Sequence, residues 1–534
     1  MSELTGTGQL TRLALRRDRV LLPGWIAVFV FGVVSSSYAT VDLYPTEASR
    51  VSAASAVNDV PSIVALYGRV WDPTSLGALA TFKMSGVVAA LLAVFATILV
   101  VRHTRAEEES GRLEMLGATV VGRRASLTAA LLLVFGTMLV VGGLTAIGQI
   151  AAGLPASGSW AFGLSWTLTG MVFACVAAAT AQLTISARSA NGLALAFLAI
   201  AYILRGVGDV RGGAGGPAFW SWLSPIGWGQ QVRPYAGDRW WVFLLPAVFC
   251  VVATWVAFRF ASRRDLAAGL FPDRVGRSTG SRWLASPLGL AWRQQRGVLA
   301  AWAVGYVVLG YLLGTVASDV GSLLDSEQAR EMIAKLGGTH VLTDAFFAAE
   351  FGIAAFITTA YGISAVMRLH TEESSGRAEP ILSCPVPRTR WLASHTLIAV
   401  VGTTVLTLLL GVTAATANAF QQGTSDRMGS IIGAAFVQLP AVWIFAALTV
   451  AVFGVMPRFA LAGWAVLVGF VLVQELGTLW NLPHWVLSTS PFDHTPSLPG
   501  SEMAWTPVGV MVLCSGCLVV IGAVAFRRRD IATH

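Results

Sequence analysis

Residues 107–114 read EEESGRLE, and residues 372–379 read EESSGRAE. Glu107, Glu108, Ser110, Gly111, Arg112 and Glu114 recur 265 positions later as Glu372, Glu373, Ser375, Gly376, Arg377 and Glu379. At the same offset Arg123 recurs as Arg388, and Arg264-Asp265-Leu266-Ala267 recurs as Arg529-Asp530-Ile531-Ala532. Three separated matches at one offset, in a chain with only 12% charged residues, point to an internal duplication.

Long runs without charge flank both segments. The 534 residues are 55% hydrophobic with a mean hydropathy of +0.68, where a soluble globular chain carries roughly 25% charge. A hydrocarbon layer about 30 Å thick takes roughly 20 apolar residues as helix. The runs are continuous rather than alternating, so helices, not a closed barrel, satisfy the backbone in lipid. Twelve spans are predicted, at about 20–40, 79–101, 126–150, 159–186, 189–205, 240–260, 298–317, 345–367, 391–417, 430–456, 459–476 and 506–526. The expected fold is an all-α polytopic membrane protein of two tandem six-helix repeats with short cytoplasmic helices. A first half at 1–265 and a second at 298–534 are joined by a linker at 266–297. Six spans is an even number, so both halves share one orientation, related by an axis along the membrane normal.

The first span aligns with the seventh at a different offset, 277: Arg16, Arg19 and Trp25 match Arg293, Arg296 and Trp302. The longer first outer loop accounts for the change. The second copy lies mid-chain, so the first reads as a true span, although Ser37-Tyr38-Ala39 resembles a signal cleavage site. Residues 5–19 and the end of the linker are expected to form amphipathic surface helices.

The net charge of +8 follows topology rather than a nucleic-acid partner. With a cytoplasmic N-terminus, roughly 26 of the 36 Lys and Arg fall in cytoplasmic segments. Both termini are therefore expected in the cytoplasm, in a multi-pass protein of the plasma membrane. Cys514-Ser-Gly-Cys517 has a redox or metal spacing, but it sits in an apolar run without a second ligand pair and reads as structural. No metal site and no catalytic triad are expected.

The repeated segments have a readable local physics. Gly111 and Gly376 can break the emerging helix. Ser110 and Ser375 suit the N-cap of a new short helix, with Glu114 and Glu379 in its first turn. That helix carries Leu113, Met115 and Leu116 in one half, and Pro380, Ile381 and Leu382 in the other. A capped, half-apolar short helix makes a docking knob, and Pro380 is expected to distort the second.

This pattern resembles the coupling helix of ABC-2 type permeases. The fused twelve-span form resembles the permeases of the polyketide-antibiotic (tetronasin-type) and multidrug exporter group. The resemblance extends to Trp222-Leu223-Ser224-Pro225-Ile226-Gly227-Trp228 and the weaker Ser490-Pro491-Phe492, which in such permeases are short re-entrant helices closing the exit. It implies export of hydrophobic or amphipathic compounds, powered by two copies of a separate cytoplasmic ATPase that hold ATP and Mg. The chain itself has no G-x-x-x-x-G-K-[ST] loop and only two lysines, Lys83 and Lys335. The residues implied in coupling are Glu107, Glu108, Gly111, Arg112, Glu114 and Leu116, with Glu372, Glu373, Gly376, Arg377, Glu379 and Leu382.

Two rival readings stay open: a secondary transporter, and a lipid-linked glycosyltransferase using Asp42, Asp59 and Asp72. Four charges lie inside spans: Lys83, Arg205, Glu350 and Glu475. Each sits about 25–27 Å from the cytoplasmic edge at 1.5 Å per residue. They snorkel to the outer interface or form an asymmetric outer gate, basic in the first half and acidic in the second.

Overall fold

Apolar runs that must satisfy their own backbone in lipid become helices, and every expected span is helical in the computed structural model. It describes all residues except 1, 118–119, 214–215, 266–267, 272–277, 321–338, 477–482, 484–487 and 532–534. Among the described residues there are helices and turns and no strand. Eleven helices among the described residues are long and apolar enough to cross a membrane, which makes this a polytopic membrane protein. They are Leu21–Leu43, Leu76–Glu109, Ala125–Ala151, Ala156–Leu183, Ala187–Gly212, Trp240–Ala261, Pro287–Ala317, Thr343–Ser374, Arg388–Gln422, Met428–Val455 and Trp505–Arg528. The twelfth expected span, at 459–476, is helical over Ala462–Leu476, up to the edge of the described residues. The segment that follows it is largely outside the described residues.

The chain divides into two units, Met1–Val275 and Gly276–His534. In the first, the amphipathic helix Thr7–Arg17 ends in two basic residues and turns at Asp18 into the span Leu21–Leu43. Asp18 is buried and fixes that turn, accepting from Arg102 at 3.0 Å and lying 2.6 Å from His103 Nε2. Ala156–Leu183 is the most enclosed helix. It crosses Ala125–Ala151 where Gly142 and Gly163 meet so closely that neither position has room for a Cβ, the small-residue contact that lets membrane helices approach. The second span changes character along its length. Leu76–Lys83 is α-helical, Met84–Val88 is a π-helical turn and Ala89–His103 is α-helical again. The backbone then breaks at Thr104 before the short helix Arg105–Glu109.

In the second unit, Met428–Val455 is the most enclosed helix. It packs on Trp505–Arg528 through a glycine contact, Gly454 on Gly522. Two expectations change here. The end of the linker is not a separate surface helix: Pro287–Val320 runs as one helix of 34 residues from the linker into the span. No buried acid interrupts it. Gln295, aligned with Asp18 at the 277 offset, lies 3.0 Å from His395 Nδ1 and leaves the helix intact. Likewise Thr339–Ser374 is a single unbroken α-helix, without a π turn.

Candidate functional site

Each unit carries its charged repeat at one end, and there the second acid of the pair is an internal anchor. Arg264 forks onto Glu108, with Nη2 donating to Oε1 at 2.6 Å and Nη1 to Oε2 at 2.9 Å. Arg529 forks onto Glu373 in the same way, at 2.6 and 2.7 Å. The carbonyls of these arginines are held in turn. Arg123 donates to Arg264 O at 2.9 Å, and Arg388 donates to Arg529 O at 2.6 Å. All three members of each cluster stand 265 residues from their counterparts. Bidentate pairing of this kind is the strongest geometry available to a carboxylate and a guanidinium. Glu108 and Glu373 are buried. The sequence signal for this clamp is the recurrence of Arg264 and Arg529 at the offset of the acids. Arg105, unforeseen, is 1% exposed and donates to Glu108 at 2.7 Å and to the carbonyls of Ala181 and Ala268.

The knobs follow the clamps. Gly111 and Gly376 take φ of 71° and 70°, the left-handed conformation that closes a helix C-terminus, and donate back to Glu108 O and Glu373 O. The serines differ from expectation. Ser110 donates to Glu107 O and Ser375 to Thr371 O, so both finish the preceding helix instead of capping the next. The short helices are Arg112–Gly117 and Glu379–Leu382. Pro380 lies within the first turn of the second, where its missing N–H leaves no bond unmade. The second knob is thus shorter and starts later, and it is not kinked. Glu114, Met115, Arg112, Arg377 and Glu379 are exposed, while Leu382 is half-buried. Glu107 is bound by Arg17 and Arg112, and Glu372 is buried against Arg368 at 2.9 Å. The side chain of Leu116 lies outside the described residues.

At the opposite end of the first unit lies Arg205, expected in an outer gate. It is fully buried and has its acid in its own unit, Asp209, four residues on, with Nη1 to Oδ2 at 3.6 Å. Its Nη2 donates to the carbonyls of Ala65 and Leu66 at 2.7 and 3.0 Å. These belong to the last turn of helix Pro61–Tyr67, where a cation is favoured. Ser221 completes the cluster by donating to Asp209 Oδ1 at 2.7 Å. Lys83 is exposed at the end of its α-helical segment, and Glu350 is half-buried. Neither pairs with an opposite charge among the described residues. The side chain of Glu475 lies outside them. Of the three loop acids considered for metal binding, Asp72 is engaged by the N–H and hydroxyl of Thr74.

An apolar cleft of about 450 Å³ separates helix Leu21–Leu43 from helix Leu76–Glu109, lined by Trp25, Phe29, Met84, Val88 and Phe95 with Arg102 at one end. The volume falls within the range of small-molecule sites, roughly 300–1,000 Å³. Met84 and Val88 come from the π turn, a feature that recurs at functional sites. Trp25 stacks 5.7 Å from Phe29 and 5.4 Å from Phe95, giving the cleft an aromatic wall.

Comparison with known proteins agrees with this architecture. Residues 284–527 match the family described as the multidrug efflux system permease Rv1217c, C-terminal domain. The chain is also 43% identical over 533 residues to the multidrug efflux system permease protein Rv1217c of Mycobacterium tuberculosis (strain ATCC 25618 / H37Rv). That alignment covers 99% of this chain and 96% of the relative. A likeness of that extent, across both units, places the chain in the family of the multidrug efflux system permease Rv1217c.

Proposed function

We propose that this chain is the permease of an ATP-driven, ABC-2 type exporter that moves hydrophobic or amphipathic compounds, drugs among them, out across the plasma membrane. The observation that carries the proposal is the knob: one short exposed helix in each unit, held by the same Glu–Arg fork, in a sequence with no phosphate-binding loop of its own. In this reading the halves arose by duplication, both termini lie in the cytoplasm, and each knob seats one copy of a separate ATPase that holds ATP and Mg. The buried acids Glu108 and Glu373 hold the knobs in place. Contact with the partner falls to Glu114, Met115, Arg112, Arg377 and Glu379. The aromatic cleft at Trp25, Phe29 and Phe95 suits an apolar cargo, with Lys83 and Glu350 as pathway charges.

The test is co-purification with the candidate ATPase and measurement of drug-stimulated ATP hydrolysis. The double substitution Glu114→Lys, Glu379→Lys touches only exposed positions, so stability should move by no more than about 0.5 kcal/mol. It should nonetheless release the ATPase or uncouple hydrolysis from export. Unchanged coupling in the double variant rejects the docking role.

A further inference from the structure

The loop after helix Pro225–Gln231 folds against ordinary backbone preference. Arg233, Tyr235 and Asp238 take φ of 53°, 61° and 34°. Residues with side chains hold that conformation only where their surroundings over-determine it, and such positions cluster at binding sites. Here the surroundings do so. The Tyr235 ring fills a notch at Gly77 and Gly158, where no Cβ would fit. Its hydroxyl donates to Gln149 Oε1 and lies beside Ser159 Oγ, both at 2.9 Å. Asp238 accepts from the Tyr235 N–H at 2.8 Å and from the Ser157 hydroxyl at 2.6 Å. The Arg239 N–H closes the loop onto Val232 O at 2.6 Å.

What this anchoring fixes is the place of Arg233. Its guanidinium lies 3.7 Å over the Trp71 ring, and its Nε is buried without a hydrogen-bond partner. With Arg69, Trp71, Thr81, Ser85 and Gln230 it lines a pocket of about 30 Å³, room for an ordered water or a small anionic group and too small for a whole ligand. No acid lines the pocket among the described residues. Nearby carboxylates are committed elsewhere: Asp72 to Thr74, Asp238 to its own loop, and Asp209 to Arg205 and Ser221. Arg69 donates to the Asp209 carbonyl at 3.3 Å, with its charge near the Asp209 carboxylate. Burial, and then the neighbouring charge of Arg239, pushes the Arg233 guanidinium below its ordinary range. An anion in the pocket would relieve the charge repulsion and supply the missing acceptor. Thr81 and Ser85 of the pocket lie on the same helical stretch as Met84 and Val88, which line the apolar cleft.

We propose that Arg69 and Arg233, with Trp71 as a supporting wall, form a binding site for the carboxylate or phosphate of an amphiphile. The site deepens the efflux reading and rests on it only for which amphiphile arrives, an acidic cargo or an anionic phospholipid. Full-length protein in phosphatidylcholine nanodiscs is titrated calorimetrically with dodecanoate, dodecyl phosphate and dodecanol. Both anions should bind at least about ten-fold more tightly than the alcohol, as charge-assisted pairing requires. Arg69→Gln and Arg233→Gln should each abolish that preference and leave dodecanol binding as it was, which certifies the fold. Arg233→Lys should restore part of it. Equal binding of all three by the native protein overturns the proposal, and so does a preference that survives both substitutions. Nanodiscs containing phosphatidylglycerol separate the sources: dodecanoate binding that falls about ten-fold there assigns the site to a lipid headgroup, and unchanged binding assigns it to an acidic cargo. No ATPase or ATP enters the experiment, so its failure leaves the exporter reading standing.

Discussion

The two clamps hold the same fork in different settings. In the first unit Glu108 carries two guanidinium groups, Arg264 and Arg105. Arg264 also donates to Gln182 Oε1 at 2.7 Å, and Arg105 is stitched to two backbone carbonyls. In the second unit Glu373 carries Arg529, which lies 5.0 and 4.9 Å from the ring centres of Phe453 and Phe526. The position corresponding to Arg105 is His370. The geometry of the fork recurs while its support does not. A guanidinium withdrawn from water can be offset by carbonyl and amide acceptors or by ring faces. Either support fixes the same knob.

The comparison breaks most easily at its carboxylates. Glu108→Ala leaves Arg105 and Arg264 buried without their acid, a loss of about 3–5 kcal/mol. Glu373→Ala strips a single, more exposed arginine and should cost about 1.5–3 kcal/mol. Thermal unfolding of the purified variants checks the order, and an equal or reversed order would show that Arg105 adds nothing to the first clamp. The supports come next. Gln182→Leu removes an acceptor from a charged donor and should destabilise by about 1–2 kcal/mol. Phe453→Leu removes one ring face and should cost about 0.5–1 kcal/mol. If Phe453→Leu proves the more damaging, the rings hold Arg529 by packing rather than by charge.

Much of this architecture was legible in the sequence, because lipid leaves the backbone few choices. Eleven of the expected spans coincide with membrane-length helices to within a few residues at most ends. One exception is informative. The linker end merged with its span because Gln295 stands where Asp18 turns the chain. At the sites, composition located the charges but not their partners. Arg205 was assigned to distant acids although Asp209 follows it by one helical turn, a spacing at which side chains meet. Arg264 and Arg529 recur at the acids' own offset, which marks a repetition without naming the acid that each arginine meets. Contacts that depend on long-range packing, such as Arg105 on the carbonyls of Ala181 and Ala268, leave no local pattern to read.

The smallest expected effect concerns the knobs themselves, where the two units differ in helix register. Residue 380 aligns with residue 115 by the repeat, yet Pro380 occupies the first turn of Glu379–Leu382 while Met115 lies deeper in Arg112–Gly117. The first N–H groups of a helix have no intrahelical partner, so proline there forgoes nothing. Pro380→Ala should therefore change stability by no more than about 0.5 kcal/mol and leave amide exchange across 379–382 as it was. Met115→Pro is not its mirror image. The Met115 N–H donates to Gly111 O at 3.4 Å, and a proline inside a helix both loses that bond and clashes with the preceding turn. Exchange across 112–117 should accelerate in that variant, with little change in global unfolding because the helix is exposed. If instead Pro380→Ala slows exchange and lengthens the second knob helix, the proline is what shortens it, and the register difference belongs to that one residue rather than to the unit.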